Sequence, residues 1–167
     1  MLYFAYGSNL DPDQMAERCP GHRVVGRAAL HDHRLFFPLF SNRWNGGVAS
    51  IQLHHGGTVW GILYDLTDDD VKSLDGYEGF RGAGDQHNLY DRVTLTVDID
   101  RPDDGSIPRR VRCETYVARP SNPSPPSRRY LDAILKGARH HRLPEEYAQA
   151  LAAIAVRVEE DPARPSP

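Results

Sequence analysis

The chain has 167 residues, with 20 Lys and Arg against 23 Asp and Glu, a net charge of −3. At 40 % hydrophobic residues it is apolar enough to fold, and it lacks the basic surplus of a nucleic-acid binder. No stretch approaches the ~18 consecutive apolar residues of a membrane helix, and the apolar start Leu2–Tyr6 has no basic flank. A soluble, cytoplasmic protein with neither nucleic-acid nor membrane partners is therefore expected.

The length suits one domain, read as residues 1–158, with a flexible tail over 159–167. Residues 2–6 alternate in side-chain direction and predict a short strand. Asp11-Pro12-Asp13-Gln14 reads as a helix start, with an Asp cap and Pro at the first helical position, and the helix ends near Cys19-Pro20-Gly21. Residues 22–40 and 48–66 are strand formers, punctuated at Asn45-Gly46-Gly47 and Gly56-Gly57, both of which read as hairpin connections. Thr67 followed by Asp68, Asp69 and Asp70 starts a second helix. A further hairpin runs out over 90–100, turns at 102–105 and returns over 109–119. The proline-rich segment 119–128 predicts a stiff surface loop, and helices over 127–141 and 144–158 follow. Strands in the middle with helices at intervals and at the end make an α+β domain rather than a βαβ alternation.

Two cysteines, Cys19 and Cys113, are too few and too distant for a disulfide scaffold. The pairs His31/His33, His54/His55 and His140/His141 lack the i, i+4 spacing of a helical zinc pair, so no metal is expected. Two other features carry chemistry. Seven residues beyond Val71 and four beyond Leu74 lies Glu78, so a helical period turns this carboxylate to the apolar face. Gly79 follows as a C-cap, which sets Glu78 at the negative end of the dipole. Desolvation and the dipole would both raise its pKa toward that of a neutral-pH acid–base group; the alternative is a last turn that unwinds and turns Glu78 to water. The second feature is the bend Tyr6-Gly7-Ser8-Asn9 between the first strand and the first helix. Its successive N–H groups suit an anion or oxyanion, and an ordinary strand-to-helix turn uses the same residue types.

The two features occur together in one family. The sequence resembles the gamma-glutamylcyclotransferases through Tyr3–Leu10, Trp44–Ile51, Val59-Trp60-Gly61, Leu74-Asp75-Gly76-Tyr77-Glu78-Gly79, Thr115-Tyr116, Pro125-Pro126-Ser127 leading to Tyr130, Gly137-Ala138 and Leu143–Tyr147. The resemblance implies a small, mixed, barrel-like β-sheet with flanking helices and a central cavity. It implies that Glu78 is catalytic, that Tyr6, Gly7, Ser8 and Asn9 hold a small gamma-glutamyl substrate, and that Tyr116 and Tyr130 line the cavity, where core packing also accounts for both tyrosines. The reaction would release 5-oxoproline, with no cofactor and no metal. A homodimer is compatible with this reading. The alternatives are a hydrolase using Ser8 or Cys19 as nucleophile, and a binding module without catalysis. The segment 81–88, with Gly82 and Gly84, is expected to shape the pocket opening.

Overall fold

A computed structural model describes residues 1–100 and 109–158. The turn expected at 102–105 and the tail expected at 159–167 lie outside the described residues. Five strands close into a barrel: β1 (Leu2–Ala5), β2 (Arg23–Ser41), β3 (Gly46–Asp65), β4 (Tyr90–Ile99) and β5 (Arg110–Ala118) stand in the spatial order β1-β3-β2-β4-β5. Every pairing is antiparallel except the one that closes the barrel, where Tyr3 of β1 meets Glu114 of β5 in parallel. The helices are α1 (Pro12–Arg18), α2 (Asp68–Glu78), α3 (Arg128–His140) and α4 (Glu145–Ala152). The fold is α+β, as expected.

Local chemistry explains the helix ends. The Asp11 carboxylate accepts from the Asp13 amide and caps α1, and Thr67 and Asp70 form a reciprocal capping box at the start of α2. Gly79 ends α2 in the left-handed region at φ 63°, and the Phe80 amide closes back on the Asp75 carbonyl at 2.9 Å. On α3 the residues Tyr130, Leu131, Ile134, Leu135 and Ala138 are buried as one stripe. Leu131 and Ile134 join Phe4, Leu63 and Leu74 in one continuous core.

Two expectations need correction. Gly56-Gly57 is no hairpin connection, because β3 runs through it. The register steps from His31↔Thr58 to His33↔Leu53, so residues 54–57 bulge out opposite Asp32 alone. Asp32 holds the bulge by accepting from the Gly56 amide at 2.9 Å, with Gly56 at φ 77°. The last helix stops at Ala152 rather than near 158, since the following residues leave the helix to dock, with the Arg157 amide donating to the Pro126 carbonyl at 2.8 Å. The proline-rich segment is a loop, pinned against β2 by bonds from the Ser121 and Asn122 amides to the Pro38 carbonyl. No helix among the described residues is long and apolar enough to cross a membrane.

Candidate active site

A cavity of about 380 Å³ opens beside the barrel, and Glu78 lines it together with Tyr6, Gly7, Ser8, Asn9, Tyr116 and Tyr130. All seven residues singled out in the sequence thus meet at one place. Its size suits a small metabolite. Glu78 occupies the last turn of α2, and its side chain is 14 % exposed, so the turn does not unwind and the carboxylate faces inward beside the buried Leu74.

The strand-to-helix bend folds as a short 3-10 turn, Ser8–Leu10, with the Leu10 and Asp11 amides closing on the Gly7 and Ser8 carbonyls. A Cβ at Gly7 would crowd the Tyr130 hydroxyl, at 3.2 Å, and press it a few tenths of an ångström aside. Asn9, 4 % exposed, carries the bend's polar load. Its Nδ2 donates to Glu78 Oε1 and to the Tyr3 hydroxyl, both at 2.9 Å, while its Oδ1 accepts from Arg18 Nη1 at 2.9 Å and Gln14 Nε2 at 3.1 Å. Gln14 also donates to the Ser8 hydroxyl at 2.9 Å.

Arg18 stands 3.7 Å from Glu78 Oε1 and is itself 6 % exposed. Burial raises the pKa of Glu78; the Arg18 charge and the Asn9 bond pull it back without cancelling the shift. The result is a carboxyl group tuned upward yet still supported in its ionised form.

The tyrosines are sorted by the direction of their hydrogen bonds. Tyr6 donates to the Tyr116 carbonyl, and Tyr116 donates to Asp75 Oδ1 at 2.6 Å. Tyr130 instead accepts from the Ala49 amide at 2.9 Å, and Tyr3 accepts from Asn9. The first pair have spent their protons and keep acceptor capacity; the second pair keep a proton to donate.

Sequence reasoning missed Arg18, Gln14 and Asp75. Each had a signal. Val71 plus four reaches Asp75, the arithmetic that found Glu78, and Gln14 and Arg18 share one α1 face at i, i+4 spacing beside the buried Met15. Among the described residues neither candidate nucleophile is hydrogen-bonded to a base. Burial pushes the Cys19 thiol up to about 12, and His22 Nδ1 bonds the Cys19 carbonyl rather than its sulfur. The hydroxyl of Ser8 is held by an amide, Gln14. Among the described residues no three His, Cys, Asp or Glu side chains are grouped as metal ligands.

A closed barrel with a carboxylate cavity at the end of one helix defines a class, and comparison with known proteins names it. The AIG2-like family model matches residues 58–151. The gamma-glutamylcyclotransferases of Mus musculus and Homo sapiens are each 32 % identical over 157 residues, spanning 92 % of this chain and 78 % of theirs. A solved gamma-glutamyl cyclotransferase structure superposes with a TM-score of 0.83 at 29 % identity, covering 96 % of this chain and 90 % of its own. A yeast cyclotransferase described as specific to glutathione shares the fold alone, with a TM-score of 0.59 at 13 % identity. Within the AIG2-like proteins, this chain belongs to the gamma-glutamylcyclotransferase family.

Proposed function

We propose that the protein is a cyclotransferase that releases 5-oxoproline and a free amine from a small gamma-glutamyl compound, with Glu78 as the catalytic general base and acid. The observation that carries this reading is a single cavity carboxylate, desolvated and raised in pKa, beside a bend rich in donors. In the reaction the substrate's α-nitrogen attacks its own γ-carbonyl carbon. The ring C–N bond forms, the amide C–N bond breaks, and protons lost by the α-ammonium end on the departing amine. Nucleophile and electrophile share one molecule, so orientation is largely prepaid and the enzyme needs no nucleophile of its own. One carboxylate can accept the ammonium proton and return it to the leaving nitrogen, provided its pKa lies near the working pH.

The amides of the 7–9 bend and the Tyr130 hydroxyl supply donors for the substrate's carboxylate or its developing oxyanion. The leaving amine is an amino acid, the ε-amine of a lysine, or part of a larger gamma-glutamyl metabolite such as glutathione. Incubating the purified protein with a mixed gamma-glutamyl panel and reading products by mass spectrometry tests the proposal. Appearance of 5-oxoproline supports it; appearance of glutamate instead would mean hydrolysis, and turnover of nothing would favour a binding module.

A further inference from the structure

Asp75 and Arg92 are not part of the cavity lining, yet they reach it through one hydroxyl. Asp75 sits three residues before Glu78, so a single helix presents both carboxylates on neighbouring turns. Arg92 of β4 places Nη1 at 3.2 Å from each Asp75 oxygen, and its guanidinium stacks over the Phe80 ring at 5.0 Å. Both partners are largely covered, with side chains 23 % and 28 % exposed. Against this clamped carboxylate the Tyr116 hydroxyl donates at 2.6 Å.

A phenol has one proton. Tyr116 gives it to Asp75, and a carboxylate held by Arg92 has none to give back, so the direction of the bond is fixed. What remains on the Tyr116 oxygen is acceptor capacity alone, in the wall of the cavity that also holds Glu78. Every gamma-glutamyl compound carries two groups that only donate, the single N–H of the γ-amide and the α-ammonium, and the second is the charged one with the larger demand for acceptors. It offers three N–H groups, and Glu78 can take only part of that set. We propose that Asp75, anchored by Arg92, is a positioning residue that fixes the Tyr116 hydroxyl as a hydrogen-bond acceptor for the substrate's α-amino group. The inference rests on the cyclotransferase reading. Burial and the Asp75 bond both keep the Tyr116 phenol protonated far above neutrality, so the arrangement persists across the working pH range.

A purely structural Asp75–Arg92 pair would fasten α2 to β4 without regard to the ligand. The test therefore compares two ligands that differ only in the α-amine: gamma-glutamyl-alanine and glutaryl-alanine, which lacks that amine and cannot cyclise. Binding is measured by calorimetry with every protein carrying Glu78→Gln, so that gamma-glutamyl-alanine is not consumed and the readout stands apart from the test of the reaction itself. Asp75→Asn should weaken binding of gamma-glutamyl-alanine on the order of 10-fold, as for a lost bond to a charged group, and change glutaryl-alanine by less than about twofold on that same reasoning. Tyr116→Phe should do the same, and the double variant should be no worse than Tyr116→Phe alone. If Asp75→Asn does not fold, Arg92→Gln, which loosens the clamp and leaves the carboxylate, should show the same ligand selectivity in smaller degree. Equal losses for both ligands, or losses that multiply in the double variant, would overturn the proposal.

Discussion

The Asn9 amide stands between Glu78 and Arg18: its Nδ2 meets Glu78 Oε1 at 2.9 Å and its Oδ1 meets Arg18 Nη1 at 2.9 Å, whereas the two charges are 3.7 Å apart. The carboxylate is thus bonded to a neutral donor and only supported by the cation. A tight bidentate pair would hold Glu78 ionised and spoil it as a proton acceptor and donor. The two donors on Oδ1 also fix which way the amide points.

Replacing Glu78 by Gln keeps the shape and removes the proton acceptor. Turnover should fall on the order of 10²-fold or more, while the thermal transition stays cooperative. A rate above a tenth of wild type in a folded Glu78→Gln protein would remove Glu78 from the chemistry.

Arg18→Met should separate the support from the chemistry. Without the guanidinium, Glu78 is a buried carboxylate with one neutral donor, so its pKa rises further and the acid limb of kcat/KM moves to higher pH. Breaking a buried pair costs about 3–5 kcal/mol at neutral pH. The folded-state pKa of Glu78 is raised, so the stability it contributes is full below its unfolded value of ~4.3 and is lost as pH rises through the folded value. The gap in Tm between wild type and Arg18→Met should therefore narrow on acidification. A gap constant from pH 4 to 7 would show that the loss is packing alone.

The two cavity tyrosines should differ in what their hydroxyls do for stability. Tyr130→Phe strips the buried Ala49 amide of its acceptor, a loss of about 1–3 kcal/mol. Tyr116→Phe leaves Asp75 still paired with Arg92, and about 1 kcal/mol or less is expected. Both should lower kcat/KM. Chemical denaturation of the two variants gives the comparison, and equal destabilisation would contradict the bond directions described above.

Gly137→Ala ought to reverse the usual helix preference. Alanine in mid-helix normally gains up to ~1 kcal/mol over glycine, but a Cβ on Gly137 would lie 2.2 Å from the Leu10 backbone carbon. Helix α3 and the 3-10 turn must part, at about 1–3 kcal/mol for such overpacking. Because Ser8 and Asn9 move with Leu10, kcat/KM should drop along with Tm. An unchanged kcat/KM would mean the bend tolerates the shift.

Alkylation at pH 8 should leave activity intact. Burial pushes both the Cys19 and Cys113 thiols up to about 12, so little thiolate is available. Rapid loss of turnover with one equivalent of label would reopen Cys19 as nucleophile.

Much of this site was legible because it is written in local rules. Thr67, Gly79 and Asp11 act through their nearest neighbours, and the helical period that buries Leu74 also turns Glu78 inward. The misread positions depend on partners far along the chain. Gly56-Gly57 has turn chemistry, but its bulge exists only because β2 runs past it and offers Asp32. The alanine-rich run 148–155 favours helix, and its early end answers to Pro126. Gln14 and Arg18 are residue types that normally face water; only the arrival of Glu78 and the 7–9 bend at α1 gives them buried partners. The parallel closure of β1 on β5 leaves no local mark at all.

That closure has a kinetic consequence. β1 is four residues long, and its partners lie some sixty and more than a hundred residues away, at Tyr64 and Glu114. The β2–β3 and β4–β5 ribbons can form early from shorter loops, whereas β1 must wait until both edges exist. Tyr3, Tyr6 and the 7–9 bend arrive with it. A folding species with both ribbons complete would be compact and inactive, and catalysis would appear only in the final phase. In the native state Phe4 and Ala5 of this strand are fully buried in the core, so β1 cannot leave without opening the core itself, and the cavity lasts as long as the global fold does.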